Sequence, residues 1–128
     1  MKSFTINGLQ WKVVTVPHDS HFLIDRTGQI RVATTDPETL CIYVSDAIYG
    51  DFQKMVIAHE IGHAVCFSYG LISDIHKCCY PSKKIEMEEM LCNFVADYGE
   101  LIFEITYSVL GDEALIRLPA ILSRAIPA

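Results

Sequence analysis

The chain has 128 residues, 51% of them hydrophobic and 20% charged, a balance that predicts one packed domain and excludes a disordered segment. Sixteen acidic against ten basic residues leave a net charge of −6, which argues against nonspecific nucleic-acid binding. Lys83-Lys84 is the only adjacent basic pair.

The first twenty residues alternate polar and apolar without the continuous apolar core of a signal peptide. No run of about eighteen apolar residues announces a membrane span. Phe4-Thr5-Ile6 and Leu9-Gln10-Trp11-Lys12-Val13 flank Asn7-Gly8, the dipeptide best suited to a two-residue hairpin turn. Phe22-Leu23-Ile24 and Ile30-Arg31-Val32-Ala33 flank the turn Asp25-Arg26-Thr27-Gly28, predicting two more strands. Asp36-Pro37-Glu38 precedes a fifth, over residues 40–44. The five cysteines, Cys41, Cys66, Cys78, Cys79 and Cys92, are odd in number and lack paired spacing. Reduced thiols and a cytoplasmic location are therefore expected, not a disulfide framework.

From residue 47 the pattern turns helical. Residues 51–69 contain no proline, Gly70 is a natural stop, and Asp51 or Ser45 can cap the start. Apolar residues occupy nearly every side, so this helix is predicted to be buried. Inside it stands His59-Glu60-Ile61-Gly62-His63, the H-E-x-x-H signature of zincins. Residues four apart on a helix lie one turn above each other, so both imidazoles can grip one metal ion. Glu60, between them, is placed to take a proton from the attacking water. A buried polar group without a partner costs a few kcal/mol, and a metal would satisfy both rings at once. The alternative is a pair of core histidines bonded to backbone carbonyls.

Residues 71–80 form a connector with room for one helical turn. Ser82 can cap a second long helix over residues 83–110, with Glu86 and Glu88 near the positive end of its dipole. Gly111-Asp112 breaks it, and residues 113–126 are expected to form a last helix. Strands followed by helices predict an α+β domain: a zincin-like unit with antiparallel strands in residues 1–46 packed on three helices in 47–128.

A catalytic zinc site needs a third protein ligand. On the second long helix, Met87, Leu91, Phe94, Tyr98, Leu101 and Ile105 share one stripe, expected to face the core. The opposite side carries Glu89, Cys92, Asn93 and Ala96, mostly small. That side should lie against the H-E-x-x-H helix, with Glu89 reaching the metal and Asn93 steadying Glu89 or a histidine. Glu88, at the edge of the apolar stripe, is the reserve ligand. Tyr80, His76 and Tyr98 could each assist the oxyanion, and spacing does not choose among them. His76-Lys77-Cys78-Cys79 reads as a loop without metal.

His59-Glu60-Ile61-Gly62-His63 followed by Glu89-Met90-Leu91-Cys92-Asn93-Phe94-Val95-Ala96 resembles the ImmA/IrrE-type metallopeptidase family. That family pairs H-E-[LI]-G-H with E-x-x-A-N-x-F-A; Cys92 and Val95 stand here for the alanine and the phenylalanine. The resemblance covers residues 40–101. It implies Zn2+ as cofactor and hydrolysis of a specific intracellular protein, often a repressor-like DNA-binding regulator. Residues 40–44 also match the family's layout; in zincins such a strand lies along the cleft and can pair with an extended substrate. Two departures stand out: Asp97-Tyr98-Gly99-Glu100 replaces the usual leucine pair, methionine and proline, and no room is left for a helix-turn-helix domain. Compact stand-alone versions are similar to proteins of phages and mobile elements. A non-catalytic binding or regulatory protein on the same fold is the competing expectation, and hydrolysis of a small-molecule amide a third. Direct partners in nucleic acid or membrane are not expected.

Overall fold

A computed structural model describes residues 2–111. Strands β1 (Lys2–Ile6) and β2 (Leu9–Val16) pair antiparallel, with Ile6 opposite Leu9. The two-residue turn between them holds Asn7 at φ 48° and Gly8 at φ 78°, as a twisted hairpin requires. The Asn7 side chain then donates to the Ser68 carbonyl at 2.9 Å, pinning the hairpin tip to the helix end described below.

Residues 22–24 depart from expectation. A 3-10 turn occupies His21–Leu23, and an isolated bridge between Ile24 and Ile30 replaces the predicted strand pair. The Asp25 turn itself is present: its carboxylate accepts from the Thr27 and Gln29 amides at 2.8 and 3.1 Å and from Arg31 Nε at 2.6 Å. Across the turn the backbone is joined by Asp25 N–H to the Gln29 carbonyl at 2.9 Å and Arg31 N–H to the Leu23 carbonyl at 2.8 Å.

Strands β3 (Ala33–Asp36) and β4 (Cys41–Ser45) complete a four-stranded sheet of order β1-β2-β4-β3. β4 runs parallel to β2, Val14 opposite Tyr43, and antiparallel to β3, Thr35 opposite Ile42. The sheet is thus mixed rather than antiparallel throughout. A parallel pair needs a crossover of about a dozen residues or more, and residues 17–40 supply it, a long-range pairing that hairpin signals do not report.

Three helices follow: α1 (Gly50–Ser68), α2 (Leu71–Lys77) and α3 (Lys84–Leu110). Neither proposed cap serves α1. Tyr49 holds the N-cap position without a side-chain bond, and Asp51 sits in the first turn, where its charge suits the dipole. Gly70 at φ 66° stops α1 and starts α2. α1 is not buried on all sides: Phe52 and Met55 are exposed, and burial sets in from Glu60 onward. The core lies between the sheet and α1, where Trp11, Ala33, Ile42, Val44 and Ala64 pack together. The Trp11 indole N–H, fully buried, donates to Ser68 Oγ at 2.8 Å, so the ring is buried without an orphaned donor.

The chain divides into two compact units, Met1–Asp97 and Tyr98–Ala128. Within the first, α3 meets α1 through small side chains: a Cβ added at Gly62 would lie 3.3 Å from Cys92 Sγ. That close approach buries Glu88 and Cys92 and turns Leu91 and Phe94 outward to solvent, contrary to the expectation that their stripe faces the core. Tyr98, Leu101 and Ile105, in the second unit, are exposed as well. The last predicted helix, residues 113–126, lies outside the described residues. Among the described residues no single helix is long and apolar enough to cross a membrane.

Candidate metal centre

One helical turn separates His59 from His63, and the two Nε2 atoms stand 3.1 Å apart. Glu89, arriving from α3, sets one carboxylate oxygen 3.0 Å from His59 Nε2 and the other 3.1 Å from His63 Nε2. Three groups from two helices therefore converge on one point. Nitrogens bound to a tetrahedral ion at about 2.0–2.1 Å are about 3.3 Å apart, close to the separation found here. The donor set of two imidazoles and a carboxylate fits a four-coordinate divalent cation.

Glu88 and Glu89 are neighbours in sequence but about 100° apart around the helix, and they do different things. Glu89 faces open space. Glu88 is buried against α1, with one oxygen 2.9 Å from His63 Nδ1 and the other 3.9 Å from His76 Nε2. A carboxylate behind a ligating histidine fixes the ring's orientation and raises its basicity. Burial alone would push the His63 imidazole down; its bonds to Glu88 and Glu89 prevail and raise it to about 10. Bonds from His59 and His63 hold the Glu89 carboxyl well below the usual carboxylate range.

Glu60 is buried beside the histidines, and ligand atoms of His59, Glu60 and His63 all lie within 4.8 Å of one another. The Thr35 hydroxyl of β3 donates to Glu60 Oε2 and lies 3.2 Å from the Glu60 carbonyl oxygen. The centre opens into a cleft of about 950 Å³ whose lining includes Thr35, Asp36, Phe52, His59, Glu89 and Asn93.

Asn93 is on the cleft wall with its side chain exposed and no hydrogen bond to Glu89 or to either histidine; Glu88 is the group that contacts His63 from behind. His76 also reaches toward Glu88, and Tyr80 is an exposed residue outside the cleft lining. β4 is flanked on both sides, so the strand bordering the cleft is β3. Cys78 is exposed and Cys79 half-buried, its thiol directed at the Ile75 carbonyl, and all five cysteines are free. Thr35 belongs to no motif in the sequence. Its only signal is alternation: Ala33 and Thr35 share the β3 face toward α1, visible only once the register is known.

No family model matches the chain. Over 67 residues it is 37% identical to the radiation response metalloprotease IrrE of Deinococcus radiodurans. About half of this chain is similar to a metalloprotease. The match takes in 52% of this chain and 20% of that protein's length, so the chain spans about a fifth of the relative.

Proposed function

We propose that this protein is a zinc-dependent peptidase that cleaves a specific intracellular protein, a repressor-like regulator. The observation that carries the reading is the convergence of His59, His63 and Glu89 on one point, with a fourth group, Glu60, beside it but engaged elsewhere. A purely structural zinc site is closed by its ligands and has no use for a general base. Likeness to a metalloprotease over half the chain supports the same chemistry.

In this mechanism His59, His63 and Glu89 would hold the ion, and Glu88 would keep the His63 ring turned toward it. Bound there, zinc would supply Lewis acidity and lower the pKa of water to about 7. Glu60 takes a proton from the attacking water and passes it to the leaving amine. β3, paired with β4 alone among the described strands, offers its other edge to an extended substrate segment in the cleft. A cleft walled by β3, the loops on either side of it and two helices suits a few partners better than general degradation.

Glu60→Gln tests the reading. The variant should keep its fold and one equivalent of zinc while losing hydrolysis of the repressor-like substrate. Unchanged cleavage by that variant would overturn the mechanism. A stable complex of the wild-type protein with an intact partner would move the function from hydrolysis to binding.

A further inference from the structure

We propose that Thr35 is a positioning residue that keeps Glu60 from becoming a metal ligand and leaves one of its oxygens free for the attacking water. The proposal rests on the metal centre and mechanism above and concerns a group outside the H-E-x-x-H helix.

Carboxylate oxygens bind divalent cations well, and the Glu60 carboxylate lies within 4.8 Å of the histidine ligand atoms. Left unrestrained, it would complete a closed four-ligand site and remove the open position that hydrolysis requires. Thr35 is the restraint. Its hydroxyl contacts both Glu60 Oε2 and the Glu60 main-chain carbonyl, so it draws the carboxylate back toward its own helix. With Oε2 engaged, Oε1 remains to accept a proton.

The register of β3 explains how the hydroxyl gets there. Side chains alternate along a strand; Ala33 joins the core between sheet and α1, and Thr35, two residues on, points the same way. Thr34 points to the other face and donates to the Phe22 carbonyl at 2.7 Å. Thr35 is half-buried and Glu60 buried, which limits competition from water for the bond. The β-branched side chain is also stiff at χ1, so the hydroxyl has little freedom to leave.

Cobalt(II) in place of zinc gives a readout of ligation that needs no substrate. Wild-type protein and Thr35→Ser, which keeps the hydroxyl, should share one visible absorption spectrum. Thr35→Val, which keeps the shape and loses the donor, should show a changed band position and intensity as Glu60 joins the ion. The double variant Thr35→Val/Glu60→Gln should return toward the wild-type spectrum. Thr35→Ala serves in the same role if the valine variant does not fold. In turnover, Thr35→Val should lose at least tenfold in kcat with KM within about twofold, a share of the general-base contribution, and Thr35→Ser should recover most of it. A wild-type spectrum for both donor-less variants would overturn the assignment, as would failure of the double variant to revert. If the spectra behave as stated while the wild-type protein cleaves nothing, the peptidase reading fails and Thr35's hold on Glu60 stands. Absence of cobalt uptake by the wild type would overturn both.

Discussion

Glutamine at position 88 should weaken zinc binding about tenfold, whereas glutamine at position 89 should abolish it. Glu88 Oε2 lies 2.9 Å from His63 Nδ1, and both side chains are less than a tenth exposed (7% and 9%), so water cannot replace the lost partner. Glutamine retains the shape and an acceptor oxygen but loses the charge. A hydrogen bond to an ionised group contributes about 1.5–3 kcal/mol against about 0.5–1.5 for a neutral pair. The difference, about 1–2 kcal/mol, corresponds to about 5–30-fold in Kd, overlapping the roughly 10–100-fold typical of groups that orient metal-bound histidines. Glu89 has no such substitute, since its two oxygens face both Nε2 atoms. Competition against a chromophoric chelator at pH 7.5 reads both variants directly. Loss of zinc from Glu88→Gln as complete as from Glu89→Gln would make Glu88 the ligand. An unchanged Kd for Glu88→Gln would refute the role given to the carboxylate behind His63.

Gly62→Ala should destabilise the protein by about 1 kcal/mol, overpacking against Cys92 outweighing the helix-propensity gain, and Cys92→Ala in the same chain should restore part of it; urea unfolding checks both, and a more stable single variant would contradict the close approach of the two helices. Ser68→Ala strands the Trp11 indole N–H in the core and should cost about 1–3 kcal/mol, read as a lowered urea midpoint with unchanged slope. In metal-free protein the raised His63 pKa, about 10 against 6.5 unfolded, gives stability that is fully present below pH 6.5 and lost as pH rises toward 10. Glu89, depressed in the folded state, contributes in the opposite sense: its share is present above pH 4.5 and lost on acidification. Urea unfolding of chelator-treated protein should therefore weaken between pH 6.5 and 9, and a His63→Gln variant should lack that decline; an equal decline in the variant would remove His63 as its source.

Local geometry made some of this legible in the chain alone. Two histidines four residues apart share a helix face whatever surrounds them, Asn7-Gly8 closes a hairpin because both residues tolerate positive φ, and Gly70 stops a helix for the same reason. Division into strands before residue 46 and helices after it follows from periodicity, which is also local. The mixed sheet was not legible, because β2 and β4 pair across a long crossover with no short-range signal. Nor was the use of Glu88, which the sequence offers only as a reserve ligand and the structure places behind His63. Periodicity brings both Glu88 and Glu89 to the neighbourhood of α1, but the rotation of α3, with Cys92 lying against Gly62, decides which faces the histidines from behind and which faces the cleft. With that face of α3 turned to α1, Leu91 and Phe94 are left exposed. Thr35 reaches Glu60 only through the register of β3 against β4. The chain by itself determined which groups could bind a metal; the packing of α3 and β3 on α1 decided how each carboxylate is used, because orientation between elements depends on contacts that no single segment contains.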